Sequence, residues 1–201
     1  MPHAKSPRAA RCFTLLLLVC GMVACDKPQD AFKATDVTGA DFARDFKLTD
    51  HNGNERTLAD FRGKAVVVFF GYLHCPDFCP TTLSQLAKAV QALGEDGKRV
   101  QVLFITVDPE RDTREVLSRY VASFNSSFLG MSGSIEDIRH AAKEFRILFE
   151  KSPGSTTGEY SVDHSTGTYV FDPSGRLRLY VAYGTDADSI AHDLAILLKS
   201  K

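Results

Sequence analysis

Apolar residues follow two different spacings along this chain, and together they predict strands that alternate with helices. Residues 65–71 and 100–107 are nearly continuous β-branched and aromatic runs, which is typical of strands buried on both faces. Apolar residues instead recur at helical spacing in 80–93, in 114–124 and in the segment after Ser134, a favourable N-cap residue. This order implies a parallel pair of strands joined by a crossover helix.

Turn signals predict antiparallel hairpins on both sides of the parallel pair. Residues 45–57 alternate around Asn52-Gly53, and predicted strands at 168–171 and 177–183 flank a second turn-forming sequence. A last helix is predicted over 186–198. The predicted fold class is therefore α/β, with one thioredoxin-like sheet covered by helices and an added N-terminal hairpin.

The N-terminal residues have the features of a lipoprotein signal peptide. A basic start precedes an apolar run that is shorter than the roughly 20 residues a membrane span needs. The run ends in Met22-Val23-Ala24-Cys25, which resembles a bacterial lipobox with Cys25 as the lipidated residue, and Asp26 is typical of retention in the inner membrane. An uncleaved anchor helix is the alternative. The predicted division is a signal peptide over 1–24, a membrane tether over 25–44 and a thioredoxin-like domain over 45–201, at the periplasmic face of a bacterial inner membrane.

Composition and charge narrow the class of protein. The chain has 201 residues, of which 44% are hydrophobic and 24% charged, as in folded soluble domains. Removal of residues 1–24 takes away three basic residues and no acidic ones, which leaves 21 basic against 25 acidic residues and a net charge of −4. Nucleic-acid binding is not expected, because it usually needs a positive surface.

Two of the five cysteines remain for the predicted domain. Cys12 and Cys20 lie in the signal peptide, and Cys25 is the expected lipid site. Cys75 and Cys79 follow the first buried strand directly. Two thiols this close tend to pair in an oxidising compartment, but a disulfide that closes so short a loop adds little stability. A redox pair or a metal site is therefore favoured over a structural disulfide.

The position of the two cysteines is compatible with both kinds of chemistry. Pro80 is predicted as the first helical residue, which would place Cys79 at the N-cap. Free N–H groups and the helix dipole favour a thiolate there, and a thiolate serves both disulfide exchange and soft-metal binding. Two thiolates alone suit Cu(I). An imidazole as a third ligand would suit trigonal Cu(I) or Cu(II), whereas structural zinc normally takes four protein ligands.

His164 is the most promising candidate for a third ligand. It follows a Gly/Ser/Thr-rich stretch over 151–161, which predicts an inserted loop ahead of it, and it precedes a predicted strand. His74 adjoins Cys75 but is expected to point away from the sulfurs, and His51 is expected to face solvent on a hairpin turn. The residues alone leave an ordinary loop histidine as the alternative for His164. The remaining histidines are expected in the signal peptide or on helix surfaces: His3, His140 and His192.

Three separated motifs, in this order, resemble the SCO/SenC family of copper-binding proteins. They are GYLHCPDFCP over 71–80, VDPERDT over 107–113 and VDHS over 162–165. The resemblance covers about residues 40–200 and implies support of the assembly of the copper-A centre of cytochrome c oxidase. It implies copper ligation, as Cu(I) or Cu(II), by Cys75, Cys79 and His164.

The resemblance also suggests roles around the ligands. Asp77, between the cysteines, would tune the charge of the site, with His74 as a neighbour of the ligand set. Asp108 and Asp112 of the second motif would be structural or partner-facing. Leu73 stands where the family frequently has Thr, which puts no ligand in doubt.

These observations predict a membrane-tethered copper metallochaperone, which is not an enzyme but is compatible with an accessory thiol–disulfide exchange activity. The expected partners are subunit II of cytochrome c oxidase or another copper-A-type acceptor, other periplasmic copper carriers or thiol reductants, and the membrane through a lipid anchor. A thiol–disulfide reductase that keeps partner cysteines reduced is the alternative. It is less favoured, because residues 154–168 lack the proline that usually faces the cysteine pair in thioredoxin-fold oxidoreductases. A redox or copper sensor is the third hypothesis.

Overall fold

A computed structural model describes residues 1, 3, 31–154 and 159–199. The predicted signal peptide, apart from residues 1 and 3, and the predicted lipidation site Cys25 lie outside the described residues. Within these ranges, no helix reaches the combination of length and hydropathy that a bilayer crossing requires. The described residues from 31 onwards form one compact unit.

Strands and helices alternate through the middle of this unit, as the sequence predicts. The strands of the described residues are β1 Thr35–Asp36, β2 Leu48–Asp50, β3 Glu55–Arg56, β4 Ala65–Gly71, β5 Val100–Thr106, β6 Leu129–Ser132, β7 Phe149–Pro153, β8 Tyr160–His164, β9 Thr168–Phe171 and β10 Leu177–Val181. The α-helices are α1 Phe78–Ala92, α2 Arg114–Phe124, α3 Ile135–Glu144 and α4 Ala187–Lys199. Short 3-10 helices occupy Leu58–Phe61 and Gly94–Arg99.

The central sheet has eight strands in the order β1-β10-β9-β4-β5-β6-β2-β3. Strands β4 and β5 are parallel, with Val67 opposite Val102, and every residue of both strands is buried. Burial on both faces explains why these two strands read as continuous apolar runs in the sequence. The predicted thioredoxin-like α/β class is confirmed, and the sheet places the ends of β4 and β5 side by side.

Both predicted hairpins are present in the sheet. Strand β2 pairs with β3 in antiparallel fashion and joins the sheet through β6. The fully buried carboxylate of Asp50 holds the turn between β2 and β3, because it accepts hydrogen bonds from Asn52 N, Asn54 N and Arg56 Nε. Strands β9 and β10 form the second hairpin, and β9 lies directly beside β4.

The folded unit extends further towards the N-terminus than the predicted start at residue 45. Strand β1 pairs with β10, so residues assigned to the tether extend the sheet by one strand. The N–H groups of Lys33 and Ala34 donate to the buried carboxylate of Asp193 on α4. Ala43 is buried in the core. These contacts explain why 31–44 packs on the domain despite its polar composition.

The predicted loop over 151–161 is wrong at both ends. Strands β7 and β8 pair there as a separate two-stranded sheet, with Lys151 opposite Val162 and Phe149 opposite His164. Only Val162 of β8 is buried, while Ser161 and Asp163 beside it are exposed. Because most side chains of this hairpin are polar and face solvent, the apolar pattern could not reveal it. Residues 155–158, between the two strands in the sequence, lie outside the described residues.

Candidate metal centre

The cysteine turn connects the end of β4 to the start of α1. Helix α1 begins at Phe78 with Asp77 as its N-cap residue, so the predicted N-cap at Cys79 is wrong by two positions. The helix starts early because Thr81 N donates to Asp77 O at 3.1 Å and Thr81 Oγ1 donates to Asp77 Oδ1 at 3.1 Å. Cys79 therefore lies in the first turn of the helix, fully buried, and Cys75 is 7% exposed in the preceding turn.

Gly71 leaves the space that the Cys79 sulfur occupies. A Cβ atom built on Gly71 would lie 2.7 Å from Cys79 Sγ and 2.8 Å from Phe104 Cε2. Both distances are shorter than real Cβ contacts, and the neighbouring atoms belong to a buried helix turn and a fully buried ring. Glycine at the last residue of β4 is therefore a packing requirement of the cysteine turn.

We expect Gly71→Ala to destabilise the reduced protein by about 1–3 kcal/mol, which is the usual cost of overpacking a core. Urea denaturation measures the change in the free energy of unfolding. Gly133→Ala is the milder control, because its new methyl would meet side-chain atoms of Leu48 at 3.1 Å and of Asp137 at 3.2 and 3.4 Å, none of them as close as the 2.7 and 2.8 Å contacts at Gly71. Equal free-energy losses in the two variants would contradict a special close approach at Gly71.

His164 ends β8 and faces the cysteine turn. Its Nε2 lies 3.8 Å from Cys79 Sγ, across 85 residues of sequence. Its Nδ1 lies 2.9 Å from Ser165 O, which assigns the proton to Nδ1 as the donor and leaves the lone pair of Nε2 facing the sulfur. The rings of Tyr72 and Phe69 pack edge-on against the imidazole, with centroids at 5.9 and 6.4 Å.

The three side chains together form a candidate metal site. Cys75 Sγ, Cys79 Sγ and one ring nitrogen of His164 all lie within 4.8 Å of one another. Bonds of about 2.0–2.3 Å to a shared ion would place trigonal donors about 3.7 Å apart, close to the distance between Cys79 and His164. Two thiolates and an imidazole are soft and borderline donors, a set that suits copper. The residues present therefore fit copper by donor type and by spacing.

The two cysteines of the pair differ in their pKa values. The pKa of Cys75 is lowered to about 5, mainly because its sulfur accepts a hydrogen bond from the Cys79 thiol and further because it accepts backbone N–H groups of Cys79 and Asp77. The pKa of Cys79 is raised, because its proton is held against Cys75 and its sulfur is buried. At neutral pH the metal-free pair therefore holds one thiolate, at Cys75, and one thiol, at Cys79.

The other residues singled out from the sequence surround this centre in different ways. His74 and Asp77 are both exposed, and Asp77 reaches Cys75 through its backbone N–H. Asp112 is buried, and its Oδ2 accepts hydrogen bonds from Leu73 N at 3.1 Å and from Thr106 Oγ1 at 2.6 Å. Burial raises the pKa of Asp112, more than these hydrogen bonds lower it. Asp112 thus holds the backbone of the cysteine turn against the end of β5.

One histidine lies differently from its predicted position. His51 is partly buried, and its Nδ1 accepts a hydrogen bond from Gly130 N at 3.1 Å, so it does not simply face solvent. Its role is to join the first hairpin to β6. Sequence reasoning also missed Tyr72, Arg111 and Tyr160, which pack around the centre. Arg111 stands within the second motif, and that position was the available signal.

Comparison with known proteins gives consistent matches over the domain. The model of the SCO1/SenC family matches residues 34–199. The mitochondrial SCO2 homologue of Mus musculus is 40% identical over 152 residues, which is 75% of this chain and 60% of that protein. The mitochondrial SCO1 protein of Saccharomyces cerevisiae is 39% identical over 133 residues, which is 65% of this chain and 45% of that protein. The chain thus spans about half of these curated relatives.

Solved structures match over nearly their whole length. The copper-bound ScoI structure of Bradyrhizobium japonicum is 36% identical, with a TM-score of 0.69, and the match covers 75% of this chain and 96% of that one. The apo Sco1 solution structure of Thermus thermophilus is 41% identical, with a TM-score of 0.75, and the match covers 83% of this chain and 97% of that one. The range matched by the family model, residues 34–199, includes the cysteine turn and His164.

Proposed function

The chain belongs to the SCO1/SenC family, and on this premise we propose that it is a copper metallochaperone that supports assembly of the copper-A centre of cytochrome c oxidase. Cys75, Cys79 and His164 bind the copper that it carries. The acceptor is subunit II of the oxidase or another protein with a copper-A-type site. Relatives of this chain include a structure with copper bound, which supports copper as the cargo.

The observation that carries the proposal is the convergence of two thiols and one imidazole from distant parts of the sequence. All three donor atoms lie within 4.8 Å of one another although His164 is 85 residues from Cys79. A pair of cysteines alone would serve disulfide exchange equally well. The imidazole, with its Nε2 lone pair towards Cys79, adds a donor that exchange chemistry does not need.

The different burial of the two cysteines suggests an order of copper release. Cys75 retains 7% exposure, whereas Cys79 is fully buried under Gly71 and Phe104. An acceptor thiolate therefore reaches the cargo from the side of Cys75 and displaces that ligand first. Cys79 and His164 hold the copper until a second acceptor ligand replaces them.

We further propose the location and the division of the chain that its N-terminus suggests. Residues 1–24 are a signal peptide, Cys25 carries the lipid, and the domain stands at the periplasmic face of a bacterial inner membrane. The tether is shorter than residues 25–44, because the chain from residue 31 onwards is part of the compact unit. The partners at this location are copper carriers and thiol reductants of the periplasm.

Metal analysis of the reduced full chain tests the proposal directly. We expect one copper per chain after exposure to Cu(I) or Cu(II) followed by desalting, because the structure offers one cluster of three donors among its described residues. The Cu(II) form should show a sulfur-to-copper charge-transfer band. Absence of retained copper in a reduced and folded sample would refute the metallochaperone.

A thiol–disulfide reductase remains the second candidate, because the ionisation of the pair supplies the nucleophilic thiolate that disulfide exchange needs. Because the pKa of Cys75 is lowered to about 5, this residue is a thiolate at neutral pH and can attack a disulfide of a partner. The attack forms a mixed disulfide and releases one partner thiol. Cys79 then attacks Cys75, which forms the Cys75–Cys79 disulfide and releases the second partner thiol.

The reduction potential of the Cys75–Cys79 pair separates the two functions. A reductant needs a potential well below the glutathione poise, roughly −300 mV or lower. We expect a higher potential, because the hydrogen bond from Cys79 stabilises the Cys75 thiolate and with it the reduced form. Equilibration with glutathione buffers measures it, and a value below roughly −300 mV together with rapid reduction of a partner disulfide would favour the reductase.

A further inference from the structure

The strand that carries His164 is not part of the central sheet. Strands β7 and β8 pair with each other and form a sheet of their own among the described residues. At its base, Ser165 N donates to Leu148 O, and Leu148 N donates to the Ser165 side chain at Oγ. Side-chain contacts must therefore set where this hairpin sits relative to the cysteine turn.

Three side chains from two segments supply such a contact, which we call the latch: Asp108, Arg111 and Tyr160. Tyr160 begins β8, and its hydroxyl donates to Asp108 Oδ1 at 2.8 Å. Arg111 pairs with the other oxygen of Asp108, and its Nη1 donates to Tyr160 O at 3.1 Å. The guanidinium also stacks on the Tyr160 ring, with Cζ 3.6 Å from the centroid. The Asp108 side chain is fully buried, and a buried carboxylate depends on such partners.

The same segment also holds the cysteine turn. One residue beyond Arg111, Asp112 accepts the N–H of Leu73, two residues before Cys75. The Arg111 guanidinium lies 6.0 Å from the ring of Tyr72, which itself packs against His164. The turn between β5 and α2 thus contacts both halves of the centre, the thiols on one side and the imidazole hairpin on the other.

We propose that the latch positions His164 against the cysteine pair and thereby controls whether copper is bound by two donors or by three. This inference rests on the proposed copper function. Tyr160 lies four residues before His164 on the same strand. By holding Tyr160 in place, the latch therefore fixes the orientation of β8 relative to the cysteine turn. Without it the hairpin keeps its internal pairing but no longer holds the imidazole 3.8 Å from Cys79. The two thiolates remain and still suit Cu(I), whereas Cu(II) loses its nitrogen ligand.

Tyr160→Phe tests the proposal, because it removes one hydroxyl and keeps the ring on which Arg111 stacks. In the reduced full chain we expect Cu(II) affinity to fall about tenfold, as for other residues that orient a metal ligand, with unchanged Cu(I) affinity. The charge-transfer band and the nitrogen hyperfine coupling of bound Cu(II) should weaken together. Arg111→Lys keeps the charge but loses the planar fork, and it should act in the same direction.

A readout without copper distinguishes the latch from the copper function. In the metal-free reduced chain, we expect amide hydrogen exchange of β7 and β8 to become about tenfold faster in Tyr160→Phe, with unchanged exchange in β4 and β5. Ser152→Ala is the matched control, because it removes the hydrogen bond from Ser152 Oγ to Asp163 on the exposed part of the same hairpin. It should change neither the Cu(II) affinity nor the exchange near His164.

The other outcomes either overturn the positioning role of the latch or separate it from the copper function. Equal losses of Cu(I) and Cu(II) affinity, or faster exchange in β4 and β5 as well, would show that Tyr160 stabilises the whole domain. Unchanged Cu(II) affinity and exchange in Tyr160→Phe would show that the latch does not position His164. If wild type retains no copper but the exchange of β7 and β8 responds as expected, the positioning stands and the copper function fails.

Discussion

Cys75→Ala and Cys79→Ala are each expected to abolish tight Cu(I) binding by the reduced full chain. Structural zinc sites gain roughly 10–16 kcal/mol from four ligands, so one thiolate accounts for about 3–4 kcal/mol, or about a hundredfold to a thousandfold in affinity. Both sulfurs belong to the donor cluster, and Cu(I) is the ion that most favours thiolates. Competition titration with a chromophoric Cu(I) chelator measures the loss.

The two cysteine variants should differ in stability although they are equal in copper binding. Cys79 is fully buried and fills the space above Gly71, so its replacement leaves a cavity, while Cys75 lies at the edge of the core. Far-ultraviolet circular dichroism and urea denaturation of the metal-free variants provide the control for folding. If a folded Cys75→Ala variant bound Cu(I) as tightly as wild type, the proposed centre would be wrong.

His164→Ala is expected to weaken the binding of Cu(II) much more than the binding of Cu(I). Cu(II) affinity should fall by about a hundredfold, the share of one ligand, because Cu(II) prefers nitrogen and oxygen donors and this imidazole is the nitrogen donor of the cluster. Cu(I) should remain bound by Cys75 and Cys79. Cu(II) titration followed by absorbance and electron paramagnetic resonance tests the first statement, and the Cu(I) competition assay tests the second.

Two other histidines provide matched controls for this substitution. His140 is exposed on α3, and His74 is exposed beside Cys75. The same change to alanine should leave the Cu(II) spectrum unaltered at His140 and alter it only slightly at His74. If Cu(II) binding survived His164→Ala but not His74→Ala, the nitrogen ligand would be His74. That result would contradict the proposed three-donor site with His164.

The parts of the fold that bury apolar side chains were predictable from the sequence. Strand β4 was predicted with its observed bounds, and β5, α2 and the helix that starts after Ser134 were predicted within about one residue. The two strands are buried on both faces and read as continuous apolar runs, and each helix buries one apolar face at helical spacing. The turn-forming pair Asn52-Gly53 predicted the hairpin β2–β3. In these segments the apolar positions of the sequence are the positions that the structure buries, because apolar side chains are stabilised by removal from water.

The parts stabilised by polar contacts were not predictable in this way. The hairpin β7–β8 presents mostly polar side chains to solvent, and the sequence therefore read as a loop. The start of α1 was misplaced because the backbone hydrogen bond from Thr81 N to Asp77 O begins the helix ahead of Pro80. The approach of His164 to Cys79 depends on contacts across 85 residues. The residues alone therefore left an ordinary loop histidine as the alternative, and the resemblance to a family favoured the ligand. Whether these residues bind copper stays a prediction.

Because His164 lies 85 residues after Cys79, both thiols are synthesised well before the imidazole. Strand β9, which lies directly beside β4, and the hairpin that carries His164 both come from the last quarter of the sequence. An emerging chain that has reached residue 150 displays both thiols without the imidazole. At the periplasmic location proposed above, the pair would be open to oxidation during that interval, before the third donor has emerged. Reduction of the pair would then have to precede copper binding by both thiolates.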